Sequence, residues 1–152
     1  GENGRPFIGF KFRTMVRNAD AIKPQLLHLN ERHGPVFKMT EDPRITPLGR
    51  WLRKYSIDEL PQLWSVFRGD MSLVGPRPVF PSVYRDFEIW QMRKLSVKPG
   101  LTCFWQITDR DSFHDFSRWA RLDLQYIDGW TLWSDLRILW HTPKAVIKGT
   151  GY

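Results

Sequence analysis

Apolar side chains recur along this chain mainly at helical spacing, interrupted by short runs at strand spacing. Residues 7–13 read as a short strand, with Phe10 and Phe12 on one face and Lys11 and Arg13 on the other. Residues 15–32 have helical spacing through Ile22, Leu26 and Leu29, with a kink expected at Pro24, and His33-Gly34-Pro35 ends the element. Residues 36–39 predict a short strand, and Glu41-Asp42-Pro43 a loop. Thr46-Pro47 then predicts a helix start, because a hydroxyl cap followed by proline suits the first turn. Leu48, Trp51, Leu52 and Tyr55 form its expected buried face, with Arg50, Arg53 and Lys54 projecting elsewhere.

A further helix from Glu59 is expected to bury Leu60, Leu63, Trp64 and Phe67 and to stop at Arg68-Gly69-Asp70. Residues 71–74 form an extended run, and Gly75-Pro76-Arg77-Pro78 a rigid loop. Residues 81–95 are amphipathic and aromatic, residues 97–107 a Pro-Gly turn feeding an apolar strand, and residues 113–127 a helix broken by Asp128-Gly129. The last segment carries Trp130, Trp133, Leu136, Leu139 and Trp140 beside Lys144 and Lys148. Its pattern suits a core helix and an interfacial helix on anionic lipid equally. These elements predict one α+β domain over residues 1–152, mostly helical with a few short strands and amphipathic membrane-interface helices.

Composition changes this picture in two respects. A net charge of +7 points to a polyanionic partner, and eight Trp suit a membrane interface, with core filling as the competing reading. The basic residues are dispersed among helices without a recognition motif, so nucleic acid is not expected as a partner. A single cysteine, Cys103, excludes an intrachain disulfide, and the four His lack metal-ligand spacing. No apolar run approaches the roughly 18 residues of a transmembrane helix, and neither a Walker A loop nor GxGxxG is present.

The chemistry concentrates in residues 44–78, where the adjacent carboxylates Asp58 and Glu59 lie between a basic helix and the loop that ends in Arg77. Carboxylates that hold a metal or act as nucleophile, among fixed cations, are what phosphate chemistry requires. A purely structural reading competes: Ser56-Ile57-Asp58-Glu59 fits a capping box, and Asp58 could itself be the N-cap. Both are compatible with function, since a helix N-terminus is also an anion site. Arg53 precedes the dyad by one helical turn and more, near enough to fold back over it, and two prolines stiffen the backbone around Arg77.

KFRTM at Lys11, SIDELPQLWSVFRGDMSLVGPRP around the dyad and KPGLTCFWQI from Lys98 occur in that order, and with them the chain closely resembles the bacterial sugar transferase family. These are the monotopic polyprenyl-phosphate phosphoglycosyl transferases that start exopolysaccharide, capsule and O-antigen assembly. The resemblance implies transfer of a sugar-1-phosphate from a UDP-sugar to polyprenyl (undecaprenyl) phosphate, with release of UMP. It also implies magnesium and a covalent aspartyl intermediate. By motif, Asp58 would attack the β-phosphorus and Glu59 would hold Mg²⁺. Lys11, Arg13, Arg53, Arg77 and Arg110 match basic positions that would bind phosphate, and Asp135 matches an acidic position near the site.

The same resemblance implies the cytoplasmic face of a bacterial inner membrane, a lipid-surface partner, and a hydrophobic re-entrant segment upstream of KFRTM in a longer protein. Where the family commonly has a small Gly turn and SGR, this chain reads Thr102-Cys103-Phe104 and Thr108-Asp109-Arg110, which bears on loop shape and sugar choice. The contrasting expectation from charge alone is a non-catalytic basic scaffold on a membrane surface.

Overall fold

Two three-residue strands, β1 (Ser72–Val74) and β2 (Gly100–Thr102), pair in parallel with Ser72 opposite Gly100 and Val74 opposite Thr102. A parallel pair requires a crossover, and residues 75–99 provide it. The computed structural model describes residues 1–31, 37–107 and 116–149. Around this small sheet the chain is mostly helical: α1 (Ala19–Leu26), α2 (Pro47–Lys54), α3 (Leu63–Phe67), α4 (Pro81–Tyr84), α5 (Phe104–Ile107), α6 (Phe116–Asp128) and α7 (Leu132–Ile147). Tight 3-10 segments at Ile57–Gln62 and Ile89–Ser96 join them. The α+β expectation holds.

The core lies in the C-terminal half. Cys103, Trp105, Phe116, Trp119 and Ala120 are buried together, with Val83, Phe87, Trp90 and Leu122 packed against them. The indoles of Trp105 and Trp119 stack with centroids 4.8 Å apart and planes 4° from parallel, joining α5 to α6 through a large dispersion contact. Helix α7 starts where Thr131 and Ser134 cap each other reciprocally, directly after the Asp128-Gly129 break.

Several expected elements differ. Residues 7–13 form no strand; Phe12 N–H instead donates to the Asp58 carbonyl at 3.0 Å, so the segment is tied to the dyad rather than to a sheet. Residues 37–39 are not a strand either, and residue 36 lies outside the described residues. The helix expected over residues 15–32 is confined to α1 and a 3-10 turn at Leu27–Leu29, with Pro24 inside α1. The amphipathic run 81–95 divides into α4 and a 3-10 segment, and the strand expected over 97–107 stops at Thr102, where α5 follows.

The largest difference is one of orientation. Leu48 and Trp51 on α2 are exposed, as are Leu60, Leu63, Trp64 and Phe67, whereas Asp58, Gln62 and Ser65 are buried. Asp58, Gln62 and Ser65 stand at i, i+4 and i+7, so the predicted amphipathic stripe exists but its polar side faces inward. The backbone explains this. Gly49 packs so tightly that a Cβ there would lie 2.0 Å from the Thr14 carbonyl oxygen, which turns the glycine side of α2 inward. Ser65 accepts Asp70 and Met71 N–H at its carbonyl, at 2.9 and 3.2 Å, closing the turn into β1.

Candidate active site

Asp58 and Glu59 lie in the first turn of the 3-10 segment that follows α2. Helix α2 begins as Thr46-Pro47 predicts, with Thr46 Oγ1 accepting Gly49 N–H at 3.0 Å. It ends at Lys54, and two residues on Ser56 takes a left-handed conformation (φ 53°) that turns the chain into the 3-10 segment. The capping box does not form: the Ser56 side chain caps nothing, and Glu59 N–H bonds the Ser56 carbonyl at 3.2 Å. The Glu59 side chain is thereby released for the site, and Asp58 is not an N-cap.

The Glu59 carboxylate receives Lys11 Nζ at 2.7 Å on Oε1, and the Arg77 guanidinium on both oxygens. Arg77 is delivered by the end of β1. Gly75 and Gly100 approach so closely that a Cβ on Gly100 would lie 2.0 Å from Gly75 N, and Gly100 N–H bonds the Pro76 carbonyl at 2.9 Å. With prolines on both sides, Arg77 has little backbone freedom, and its guanidinium rests over the Trp105 ring, 5.9 Å from the centroid. Arg53 is fixed from the other side, its Nε donating to Thr14 Oγ1 at 2.8 Å. Thr14 is itself held by Thr46 N–H on its carbonyl at 3.0 Å.

Neighbouring carboxyls thus receive opposite treatment. Burial pushes Glu59 upward, but Arg77 and Lys11 overcome it and hold the carboxyl well below the usual range. Asp58 makes no ion pair among the described residues. Burial raises it, Glu59 adds to the rise, and Lys11, Arg53 and Arg77 only partly oppose. Arg53, which folds back over the dyad, favours the ionised form of Asp58, but desolvation dominates. An anion-binding helix end is also not what forms here, since the segment is a short 3-10 turn.

A cavity of about 730 Å³ opens beside the dyad, within the range of small-molecule sites. Lys11, Arg53, Asp58, Glu59 and Arg77 all line it. Arg13 is exposed and does not. Asp135 does not line it either: it sits at the start of α7, where Tyr126 Oη donates at 2.6 Å and Trp130 Nε1 at 3.1 Å, tying α6 to α7. Arg110 lies outside the described residues.

Other wall residues gave no signal at the sequence level. Asp42 and Arg44 form a buried pair, Nη2 to Oδ2 2.6 Å, with Nε and the Arg44 N–H also bonded to Asp42. Their spacing around Pro43 is the only cue to it. Lys94 and Gln106 also line the cavity, as do Trp105, Phe116 and Trp119. No group of three or more metal-ligating side chains occurs among the described residues. The ionised Glu59 carboxylate is the oxygen donor at the dyad that a hard cation would use, once its oxygens are released from Lys11 and Arg77.

Residues 1–149 match the family described as Bacterial sugar transferase. The chain belongs to that family. It is 49% identical over 99% of its length to a protein named galactosyl transferase CpsE from Streptococcus agalactiae, covering 34% of that protein. It is 40% identical, again over 99% of its length, to the undecaprenyl-phosphate galactose phosphotransferase of Salmonella typhimurium, of which it covers 32%. An undecaprenyl-phosphate glucose phosphotransferase of Komagataeibacter xylinus is 36% identical over 97% of this chain, which covers 28% of it. The chain thus spans about a third of the length of these relatives.

Proposed function

We propose that this family member is an undecaprenyl-phosphate sugar phosphotransferase, moving a sugar-1-phosphate from a UDP-sugar to a polyprenyl phosphate. The observation that carries the reading is the pairing of Asp58, buried and without an ion-pair partner among the described residues, with Glu59, doubly clamped by cations. The relatives named as galactose and glucose phosphotransferases support the hexose class without choosing between the two.

In the first step an Asp58 carboxylate oxygen attacks the β-phosphorus of the donor. The bond from that phosphorus to the bridging oxygen breaks, and UMP departs with its electron pair. In the second step an oxygen of the polyprenyl phosphate attacks the same phosphorus, forming the polyprenyl-diphosphate sugar and restoring the Asp58 carboxylate. A carboxylate desolvated in this way is a better nucleophile once ionised than one committed to a salt bridge. Incoming diphosphate competes with Glu59 for Lys11 and Arg77, which turns two structural ion pairs into substrate contacts. Arg53, anchored through Nε on Thr14, presents the rest of its guanidinium to the cavity. Glu59 so released would hold Mg²⁺, which supplies charge neutralisation on the diphosphate when bound.

The proposed setting is the cytoplasmic face of a bacterial inner membrane. No helix among the described residues is long and apolar enough to cross a membrane. What supports contact with a lipid surface is the outward set of large apolar side chains: Trp51, Trp64, Phe67, Trp133 and Trp140 are between 53 and 82% exposed.

The test is UMP release with polyprenyl phosphate and Mg²⁺ across a panel of UDP-sugars, beside Asp58→Asn. Release with one sugar and its loss in the variant are expected. Full turnover by Asp58→Asn would exclude the covalent route.

A further inference from the structure

Lys94, which lines the same cavity, is only 5% exposed, with its Nζ 2.6 Å from Oδ2 of Asp123, which is 1% exposed. The ammonium also lies 5.9 Å from the centre of the Phe116 ring. An ammonium has three N–H donors, and Asp123 is the one polar partner of Lys94 among the described residues. The remaining donors have no other polar partner among the described residues, and Trp105, Gln106, Phe116 and Trp119 line the same cavity as Lys94. Gln106 uses its Oε1 to accept Cys103 N–H at 3.0 Å, which orients its amide nitrogen away from that bond. Burying a charged pair in such surroundings is expensive unless further polar partners complete it. A substrate group is well placed to do so.

The character of that group follows from the charge count. Lys11, Arg53 and Arg77 supply fixed positive charge beside the dyad, where phosphates belong. Lys94 is neutralised by a carboxylate too deeply buried to reach a ligand, so it acts as a hydrogen-bond donor from a charge-compensated pair rather than as a phosphate clamp. Aromatic walls beside such a donor match a neutral, oxygen-rich ring with apolar C–H faces. Arg77, resting over Trp105, places this wall directly next to the phosphate-binding side.

We infer that Lys94, held by Asp123, binds a hydroxyl of the donor's sugar ring and is a specificity-determining residue of the site. The inference rests on the UDP-sugar reading above. It assigns the Trp105–Phe116–Trp119 wall to the hexose and leaves the diphosphate to the cations around Glu59.

Titration calorimetry of the full chain carrying Asp58→Asn, which forms no covalent adduct and is the reference for the variants below, with UDP-glucose, UDP-galactose and UDP in magnesium buffer, tests it without turnover. Lys94→Met is expected to weaken binding of the preferred UDP-hexose about tenfold, the loss of one charge-assisted hydrogen bond, while UDP binding changes roughly twofold or less. Since that variant strands the Asp123 carboxylate, Lys94→Met/Asp123→Leu, which removes both charges, repeats the measurement in a protein whose circular dichroism matches wild type. The same selective loss is expected. Equal weakening of UDP and UDP-hexose in the folded double variant, or no weakening of either, overturns the inference. An Asp58→Asn reference protein that binds UDP but gains or loses nothing from any attached hexose overturns it as well. A folded reference protein that binds none of the three defeats the donor reading itself, which separates the two failures.

Discussion

Around Trp105 and Trp119 the chain buries stacked indoles, a cysteine and an alanine, as an ordinary core does. Between Asp42 and Ser65 it buries Asp42, Arg44, Asp58, Gln62 and Ser65, while Leu60, Leu63 and Trp64 stand in solvent. One region derives its stability from dispersion and apolar burial, the other from hydrogen bonds and ion pairs that hold a polar interior together. The cavity lies where the two meet, lined both by the stacked indoles and by the carboxylate pair. This arrangement lets a desolvated carboxylate sit beside fixed cations, and it leaves the apolar side of α2 and α3 available to a surface.

The contrast can be broken at its strongest contacts first. Asp42→Ala leaves Arg44 buried without its bidentate partner and is expected to lower stability by about 3–5 kcal/mol, read as an early denaturant midpoint. Trp119→Ala in the aromatic core should lower it by about 3–5 kcal/mol through cavity formation. Matching losses by unlike mechanisms would establish that the polar interior is as necessary as the apolar one. Next comes Glu59→Gln, which weakens the contacts of Lys11 and Arg77 and is expected to lower stability by roughly 2 kcal/mol near neutral pH. Because the folded-state Glu59 titrates below its unfolded value, that contribution is present above the ordinary glutamate range and is lost as pH falls through the folded value.

Asp58→Asn should act in the opposite sense. The folded-state Asp58 titrates above its unfolded value, so wild-type stability falls as pH rises through that interval and stays lower above it. The variant is expected to melt above wild type at pH 8 and to converge with it below the ordinary aspartate range; a lower melting point at pH 8 would show that Asp58 is a structural group. Least in stability is the outer face. Trp64→Ser/Phe67→Ser should change folding free energy by only about 0.5 kcal/mol per site while reducing sedimentation with anionic lipid vesicles. A large loss of stability, with vesicle binding intact, would mean that this face is core after all.

How much of this the sequence reveals depends on the kind of signal. The start of α2 at Thr46-Pro47 and the break before α7 at Asp128-Gly129 are local chemistry, and both occur as read. The dyad with Lys11, Arg53 and Arg77 is legible from residue types and family motif together, and the fold assembles those residues around one cavity. The inward and outward sides of α2 and α3 are not legible. Periodicity detects a stripe, but which side faces in was decided by the Gly49–Thr14 backbone contact and by a polar interior that hydrophobic patterning does not anticipate. Residues 7–13 alternate like a strand yet bind the Asp58 turn, because edge pairing there is replaced by one backbone bond to the site. Lys94 and Asp123 stand 29 positions apart on separate elements, a pairing that only tertiary packing shows.

Intact-mass spectrometry of the protein mixed with UDP-hexose and Mg²⁺, in the absence of polyprenyl phosphate, tests the proposed role of Asp58 most directly. The account predicts a covalent phosphohexose adduct that maps to Asp58, forms together with UMP, disappears on addition of polyprenyl phosphate, and is absent from Asp58→Asn. An active enzyme that forms no adduct and releases UMP only when donor and acceptor are both present would contradict it.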